Sequence, residues 1–582
     1  IFEGLHEIQY SATTTANEKS IWRDISTSCT KLRPLLVRKL VSTFTSKDFA
    51  ISDTFNEAKN KINYLIHFDQ TLEDHKTAWD EIWQRSKVEI TTGKDELLVL
   101  RLHIFHLHQT VSRNSIGQDI GVPARGWHGE AYRGHIFWDE LYIFPYLNLH
   151  MPQLARSLLM YRYRRLPEAR LAALESGYKG ALFPWQSGSN GREESQVIHL
   201  NPESGRWVSD NTRLQRHINA AIPYNVWQYY LSTKDTEFLV SYGAEIIFST
   251  ALFWSGIATY NHERNRYEIN GVVGPDEYHT RYPDSDYPGL NNNAYTNFMA
   301  AWVVRCALDL TDFFDRKLIN EFSQRVGFTH KDTELWKNLS EKMYIPFLDD
   351  EIILQFEGFE KLRELDWEKY RDKFGDTMRL DRILEKEGDS VNNYRACKQA
   401  DVLMLFYLFS SEMLIRSFKL MGYDFKPSFI PKNIDYYQKI TSHGSTLSQV
   451  IFSWVYARSD REGSWTSFEK ALLSDFGDVQ QGTTAEGIHL GAMAGTVDLI
   501  QRCYTGLEIL DDILQLNPRL PAEIRELSLN FIYRSHWIKL LIDHEKVSID
   551  FSKGWSAPVE IDIQGNRKLF SKNETAEFKL MK

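Results

Sequence analysis

From Asp95 to about Leu507 the chain is dominated by amphipathic runs of helix length. They cover Leu97–Gln109, Pro152–Arg165, Ile218–Ser232, Thr236–Thr259, Tyr295–Phe314, Lys331–Met343, Gln399–Met413, Ser445–Ala457 and Gly487–Cys503. Apolar residues spaced by three and four positions share one helix face, and each such face must be buried against another element. Several connections are long and rich in Gly, Pro, Ser or Asn, among them Leu182–Glu194, Gly271–Asn293 and Asp475–Thr484. Many helices joined in this way predict a toroid of paired helices, with the long loops gathered at one end to build a site. At 582 residues the chain exceeds what one core usually holds unless the fold is a barrel or a repeat.

The flanks read differently. Residues 1–52 are mixed, with β-prone pieces such as Leu35-Leu36-Val37. A helical segment spans 53–94, where Phe55, Ala58, Ile62, Leu65, Trp79, Ile82 and Trp83 fall on helical spacing. After Pro518, Leu527, Leu529, Phe531 and Tyr533 alternate with more polar neighbours, as do Val547, Ile549 and Phe551. That period of two predicts a small β-sheet domain over 519–582, which leaves 95–518 to the helical toroid.

Composition narrows the function. A net charge of −10 and a pI near 6.0 argue against nucleic acid as a partner. The four cysteines, Cys29, Cys306, Cys397 and Cys503, lie too far apart for a zinc motif or a disulfide framework. No apolar stretch approaches the roughly 20 residues of a membrane span, and Ile1–Tyr10 lacks the pattern of a signal peptide. The default compartment is therefore cytoplasmic, although a removed signal would leave the same sequence. The absence of Met at position 1 points to a processed or incomplete N-terminus.

The segments that carry chemistry are loops. In Gly271-Val-Val-Gly-Pro-Asp-Glu-Tyr-His279 the Gly-Pro pair forbids a helix interior, so two carboxylates sit in a shaped loop. Aromatic neighbours would desolvate Glu277 and keep it protonated, as a general acid must be. Asp276 is the alternative acid, though its place after Pro suits fixing the turn. Arg125–Glu140 holds two Trp, two His and several charges, a mixture suited to hydroxyl groups and stacking faces. There Trp138 and Asp139 would grip a sugar from its face and its edge. Phe183–Glu194 and Asn291–Asn297 are loops of the same kind. Lys398-Gln399 opens an apolar helix, where a lysine opposes the macrodipole. Thr441–Ser448 and Gly482–His489 offer Ser, Thr, His and Gly ahead of helices, a chemistry that suits an anion. Neither matches a nucleotide-type phosphate loop.

Taken in order, Gly134–Asp139, Gly274–His279, Asn292–Asn297, Lys398–Asp401, Ser442–Ser448 and Gly482–His489 resemble glycoside hydrolase family 65. The resemblance covers about residues 55–580 and implies a mainly α fold. An (α/α)6 barrel would be followed by a small C-terminal β domain, with residues 1–52 as the remnant of a reduced N-terminal β region. It makes Glu277 the general acid. Trp138, Asp139, Lys398 and Gln399 would hold the glucosyl unit, and Ser445, Thr446 and His489 would hold phosphate. The implied reaction is inverting cleavage of an α-glucosidic bond in a small α-glucoside or disaccharide, by phosphorolysis to β-glucose 1-phosphate. Inorganic phosphate would be a co-substrate, with neither metal nor cofactor. Inverting hydrolysis is the alternative, with Glu486 as the base that activates water. A non-catalytic carbohydrate-binding protein is the remote one. Family members carry a larger β-sandwich ahead of the barrel, so its reduction here leaves aglycone preference open, and a homodimer as one assembly among others.

Overall fold

The computed structural model describes residues 10–27, 39–64, 68–375, 379–477, 484–554 and 557–581. The chain divides into two units, residues 1–85 and 86–582. The first holds an antiparallel hairpin of Tyr10–Ala16 with Ile21–Thr27, followed by helices Thr54–Tyr64 and Phe68–Arg85. The β-prone Leu35–Val37, together with Leu65 and Cys29, lies outside the described residues.

In the second unit six helices are buried along most of their length: α1 (Glu140–His150), α2 (Ile218–Thr233), α3 (Ala294–Phe313), α4 (Leu403–Leu408), α5 (Thr446–Tyr456) and α6 (Leu490–Asp498). Sequences such as Glu140-Leu-Tyr-Ile-Phe-Pro-Tyr-Leu are apolar all round, which suits an inner position. Neighbours in the ring touch from α1 to α2 to α3, from α4 to α5 to α6, and from α6 back to α1. Phe298 of α3 meets Phe409, just past α4, with ring centroids 5.4 Å apart, and closes the circle. Outer helices back these six, including Glu96–Thr110 against α6, Ala244–Ile257 against α3 and Arg461–Leu472 against α5. Their apolar stripes face inward: in Phe429–Ile440, which lies against α4, the buried residues are Phe429, Ile430, Asn433, Ile434 and Tyr437. This is the expected (α/α)6 barrel.

Two helices differ from expectation at their starts. Gln399–Met413 is not one helix: α4 begins only at Leu403, and a second helix, Ser411–Leu420, is capped by Ser410. The backbone of Cys397 and Lys398 bonds instead to Ile440, Ser442 and Gly444, which holds Lys398-Gln399 in a bend ahead of α4. Likewise α6 starts at Leu490 rather than Gly487, because Ile488 and Leu490 exchange backbone bonds with Gly126 and Ala124. The run Thr236–Ile257 is long and apolar enough to cross a membrane, yet 78% of its apolar window is buried inside the protein.

The C-terminal region forms two sheets. One is five-stranded and antiparallel, in the order Thr575–Lys579, Lys546–Gly554, His536–Asp543, Glu526–Tyr533, Val88–Thr91. Leu527, Leu529, Phe531 and Tyr533 are all fully buried, as period two requires. The other sheet joins Glu508–Leu510, Ile513–Leu516, Val559–Ile563 and Asn566–Phe570. Two strands thus precede residue 519, and Val88–Thr91 is drawn in from far upstream.

Candidate active site

The N-terminal ends of the inner helices converge. Trp138-Asp139 lead into α1, His217 into α2, Asn293 into α3, Gln399 and Asp401 into α4, Ser445 into α5 and His489 into α6. Contacts across the ring tie these ends together. The Trp138 ring lies 4.9 Å from His217 and 6.3 Å from Tyr295, His489 bonds Asp139, and Asn293 bonds Asp401. Helix N-termini present free N–H groups and a partial positive charge, so their meeting place favours an anion.

Glu277 stands at the centre of one half of this site. Its backbone is left-handed, with φ of 66°, which turns the side chain out of the line of the loop. The carboxylate takes the Lys398 ammonium at 2.5 Å and a weaker contact from Gln215 Nε2 at 3.4 Å. Both partners of the ion pair are mostly buried, with side-chain exposures of 24% for Glu277 and 19% for Lys398. Burial works against the lysine's charge, but Glu277 and Asp381 outweigh it and hold the Lys398 pKa above the ordinary value.

Beneath Glu277 the loop is pinned by its neighbours. Asp276 is 1% exposed; its Oδ1 accepts the Lys398 N–H at 2.5 Å, and its Oδ2 lies 3.1 Å from His279 Nδ1. His279 Nε2 in turn donates to the Tyr394 carbonyl at 2.9 Å. Asp276 therefore fixes the turn and does not face a pocket. Gln399 Nε2 donates to the Pro275 carbonyl at 2.7 Å, so its amide braces this loop from behind. Asp401 accepts the Asp276 N–H and the Asn293 amide; burial first, and the charge of Asp276 second, raise its pKa well above the usual carboxylate range.

The other half of the site is a hydrogen-bonded chain. Asp139 Oδ1 lies 2.8 Å from His489 Nε2, and His489 Nδ1 meets the Thr446 hydroxyl. The His489 N–H is anchored on Asp475 Oδ2 at 2.7 Å. Ser445 caps α5 by accepting the Leu447 N–H at 3.3 Å. The two halves are stitched by the backbone, where Gly444 N–H donates to the Lys398 carbonyl at 2.7 Å. Glu486 is exposed on a short turn at Thr484–Glu486, its backbone packed against Gly129. Gly482 and Thr483 fall outside the described residues.

Sequence reasoning passed over several contributors. The Trp185 ring lies 5.8 Å from that of Trp138, tilted by 51°, and its signal was the Phe183–Glu194 loop. His217 is wholly buried among Trp138, Trp185 and Tyr295; burial pushes its pKa down to about 3, against a weak contact with the Val273 backbone, so it is a neutral wall. Tyr278 OH meets Ser442 Oγ at 2.7 Å and accepts the Leu380 N–H, which ties the Gly271–His279 loop to the Thr441–Ser448 loop. Gln215, whose amide reaches Glu277, had no spacing signal, because it comes from a segment remote in sequence that meets the loop only in the closed ring.

The model for the glycosyl hydrolase family 65 central catalytic domain matches residues 101–498, and that for the family's C-terminal domain matches 507–569. The chain belongs to glycoside hydrolase family 65. It is 46% identical over 543 residues to an uncharacterized glycosyl hydrolase of Mycobacterium tuberculosis, covering 93% of this chain and 41% of that protein. It is 35% identical over 518 residues to a trehalose 6-phosphate phosphorylase of Lactococcus lactis, covering 87% of this chain and 65% of the relative. A kojibiose phosphorylase of Caldanaerobacter subterraneus is 32% identical over 545 residues, covering 92% of this chain and 67% of that enzyme. The chain thus spans about two fifths to two thirds of the length of these relatives. A solved structure described as a candidate kojibiose phosphorylase from the human microbiome shares the fold. Its TM-score is 0.75 at 24% identity, over 91% of this chain and 72% of the other.

Proposed function

We propose that this chain catalyses the phosphorolysis of an α-glucosidic bond with inversion, releasing β-glucose 1-phosphate. The observation that carries the reading is the chain Asp139–His489–Thr446, which joins the residue expected at the sugar to those expected at the phosphate. An anion there sits at the N-terminal ends of α5 and α6, where the free N–H groups are. Trp138 and Trp185 supply flat apolar faces for the glucosyl ring.

In this reading Glu277 gives its proton to the leaving oxygen while a phosphate oxygen attacks the anomeric carbon from the opposite side. The glycosidic C–O bond breaks, a C–O bond to phosphate forms, and the departing alcohol keeps the proton of Glu277. Hydrogen phosphate loses its own proton as it becomes the ester, and solvent returns one to Glu277. Lys398 pairs with Glu277, and in this reading sugar hydroxyls draw the ammonium away as Glu277 acts as an acid. Phosphate arrives as the co-substrate, and the chemistry asks for no metal.

Hydrolysis would need a base held over the opposite face of the sugar. The exposed position of Glu486 supports phosphorolysis over that reading. The relatives named as phosphorylases support it as well. The trehalose 6-phosphate phosphorylase among them makes a phosphorylated disaccharide part of the test. Trehalose, trehalose 6-phosphate, kojibiose, maltose and nigerose are incubated with and without inorganic phosphate, and products are followed by phosphorus and proton NMR. Phosphate-dependent appearance of β-glucose 1-phosphate from one of them is the expected result. Equal glucose release without phosphate would overturn the reading.

A further inference from the structure

The two tryptophans of the candidate site ride on loops that one helix holds. Pro152–Arg164 packs on α1 and α2, and its last turns carry Tyr161 and Arg162, both buried. The Arg162 guanidinium donates through Nε and Nη2 to Glu140 Oε2, at 3.0 and 2.8 Å, and through Nη2 to the Phe137 carbonyl at 3.2 Å. Glu140 is the first residue of α1, so this fork grips the chain on either side of Trp138-Asp139. The Tyr161 hydroxyl meets Ser187 Oγ at 2.7 Å and donates to the Gly188 carbonyl. Just past the helix, Arg165 Nε donates to the Ser189 carbonyl at 2.8 Å. These last three partners lie in the Phe183–Glu194 loop that carries Trp185, and Ile136 and Ser187 exchange backbone bonds between the two loops.

The ion pair is costly where it stands. Its side chains are 1% and 2% exposed. Burial raises the Glu140 pKa even against the Arg162 charge, with Asp139 adding in the same direction. A buried pair of this kind gains little stability over apolar residues of similar volume, so its presence is better explained by geometry. The guanidinium is a rigid plane that serves two acceptors at once, whereas a lysine ammonium is a point charge on a flexible stem. Its acceptors belong to residues 137 and 140. The two residues between them are buried, with the Trp138 ring against His217 and the Asp139 carboxylate bonded to His489. Side chains that meet a ligand keep their geometry only when surrounding bonds of this kind lock them.

We propose that Arg162, through Glu140 and the Phe137 carbonyl, is a positioning residue that sets Trp138 and Asp139 for the glucosyl ring. It touches no substrate itself. The inference rests on the proposed function only in taking Trp138 and Asp139 as sugar contacts. With Tyr161 and Arg165 holding the neighbouring loop, one end of the helix sets Trp138 and Trp185 relative to each other.

The test uses the full chain with Arg162→Met, with Arg162→Met and Glu140→Leu together, and with Arg162→Lys. Arg162→Met strands a buried carboxylate and should lower the Tm, whereas the double variant removes both charges and should regain most of it. Stability and positioning then separate. In the double variant the KM of the cleaved disaccharide should rise by about tenfold or more, and glucose, titrated by tryptophan fluorescence, should bind more weakly by a similar factor. Arg162→Lys keeps a charge beside Glu140 but cannot also hold the Phe137 carbonyl, so its KM should rise by about threefold or more. A double variant with the parent's KM and glucose affinity would overturn the proposal. So would a fall in kcat alone, which marks only fewer folded molecules. If the double variant does not fold, Arg162→Lys decides by the same measurements, and a parental KM there overturns the proposal. The glucose titration needs neither phosphate nor turnover, so a chain that hydrolyses its substrate would leave this inference standing. A parent chain that binds no glucose would overturn both readings.

Discussion

Asp401 shows how much of the candidate site rests on groups that never touch a substrate. It lies 2% exposed under the acid loop, and burial with Asp276 alongside raises its pKa well above the carboxylate range. The folded chain therefore holds this proton more tightly than the unfolded chain, whose carboxyl titrates near about 3.9. Its stabilising contribution is complete below that value and is lost as pH rises through the raised folded pKa. An asparagine there stays neutral at every pH, and its one amide oxygen can accept both the Asp276 N–H and the Asn293 amide. Asp401→Asn should accordingly show a flatter decline of Tm towards alkaline pH than the parent chain. Parallel Tm curves for the two proteins would contradict this account of Asp401. At this scale the sequence was informative where chemistry sits in a short motif: Glu277, Lys398, Trp138 and Asp139 all lie at the converging helix ends. It was silent on Gln215, which joins the site only through ring closure.

The elements act by bracing one another. Gly274 opens the acid loop, and a Cβ there would run into the Asn293 amide and the Asp401 carboxyl, both fixed at the starts of neighbouring inner helices. Gly274→Ala should cost about 1–3 kcal/mol of stability, as overpacking does, and lower kcat by moving Glu277. Denaturant titration with steady-state kinetics checks this, and an unchanged kcat would mean that the loop is looser than its contacts imply. A similar intolerance binds the Arg125–Glu140 segment to Glu486 and Gly487, whose backbone a Cβ on Gly129 would strike. Helical periodicity revealed the long helices to within a few residues, but it misread Gln399–Met413. The apolar pattern continues across Lys398-Gln399, while the backbone bonds go sideways to Ile440, Ser442 and Gly444. Tertiary pairing of that kind leaves no periodic trace.

Across the second unit, barrel and C-terminal sheets are one folding problem. Val88–Thr91 lies ahead of the barrel in sequence yet forms an edge of the five-stranded sheet, with Val88 opposite Leu529 and Ile90 opposite Leu527. Deleting residues 508–582 would strip that strand of its partner and uncover the face of α1 that contacts Glu526–Tyr533. Such a truncation should lose cooperative unfolding and become sensitive to protease within the barrel. A truncated chain with the parent's Tm would show that the sheets are dispensable. Alternation made the sheet strands legible, but the recruitment of Val88–Thr91 was not, since four residues carry too little pattern to choose a distant partner. In the proposed reaction the ring sets Glu277 as proton donor on one side of the sugar position and Thr446 and His489 as a phosphate cradle on the other. The most direct test compares Glu277→Gln with the parent on a disaccharide and on α-glucosyl fluoride, both with phosphate. A lost general acid costs about 10²–10⁴-fold, so the disaccharide rate should fall by that factor. Fluoride leaves without a proton, so that substrate should keep most of its rate. An equal loss on both substrates, or none on either, would contradict the assignment of Glu277 as proton donor.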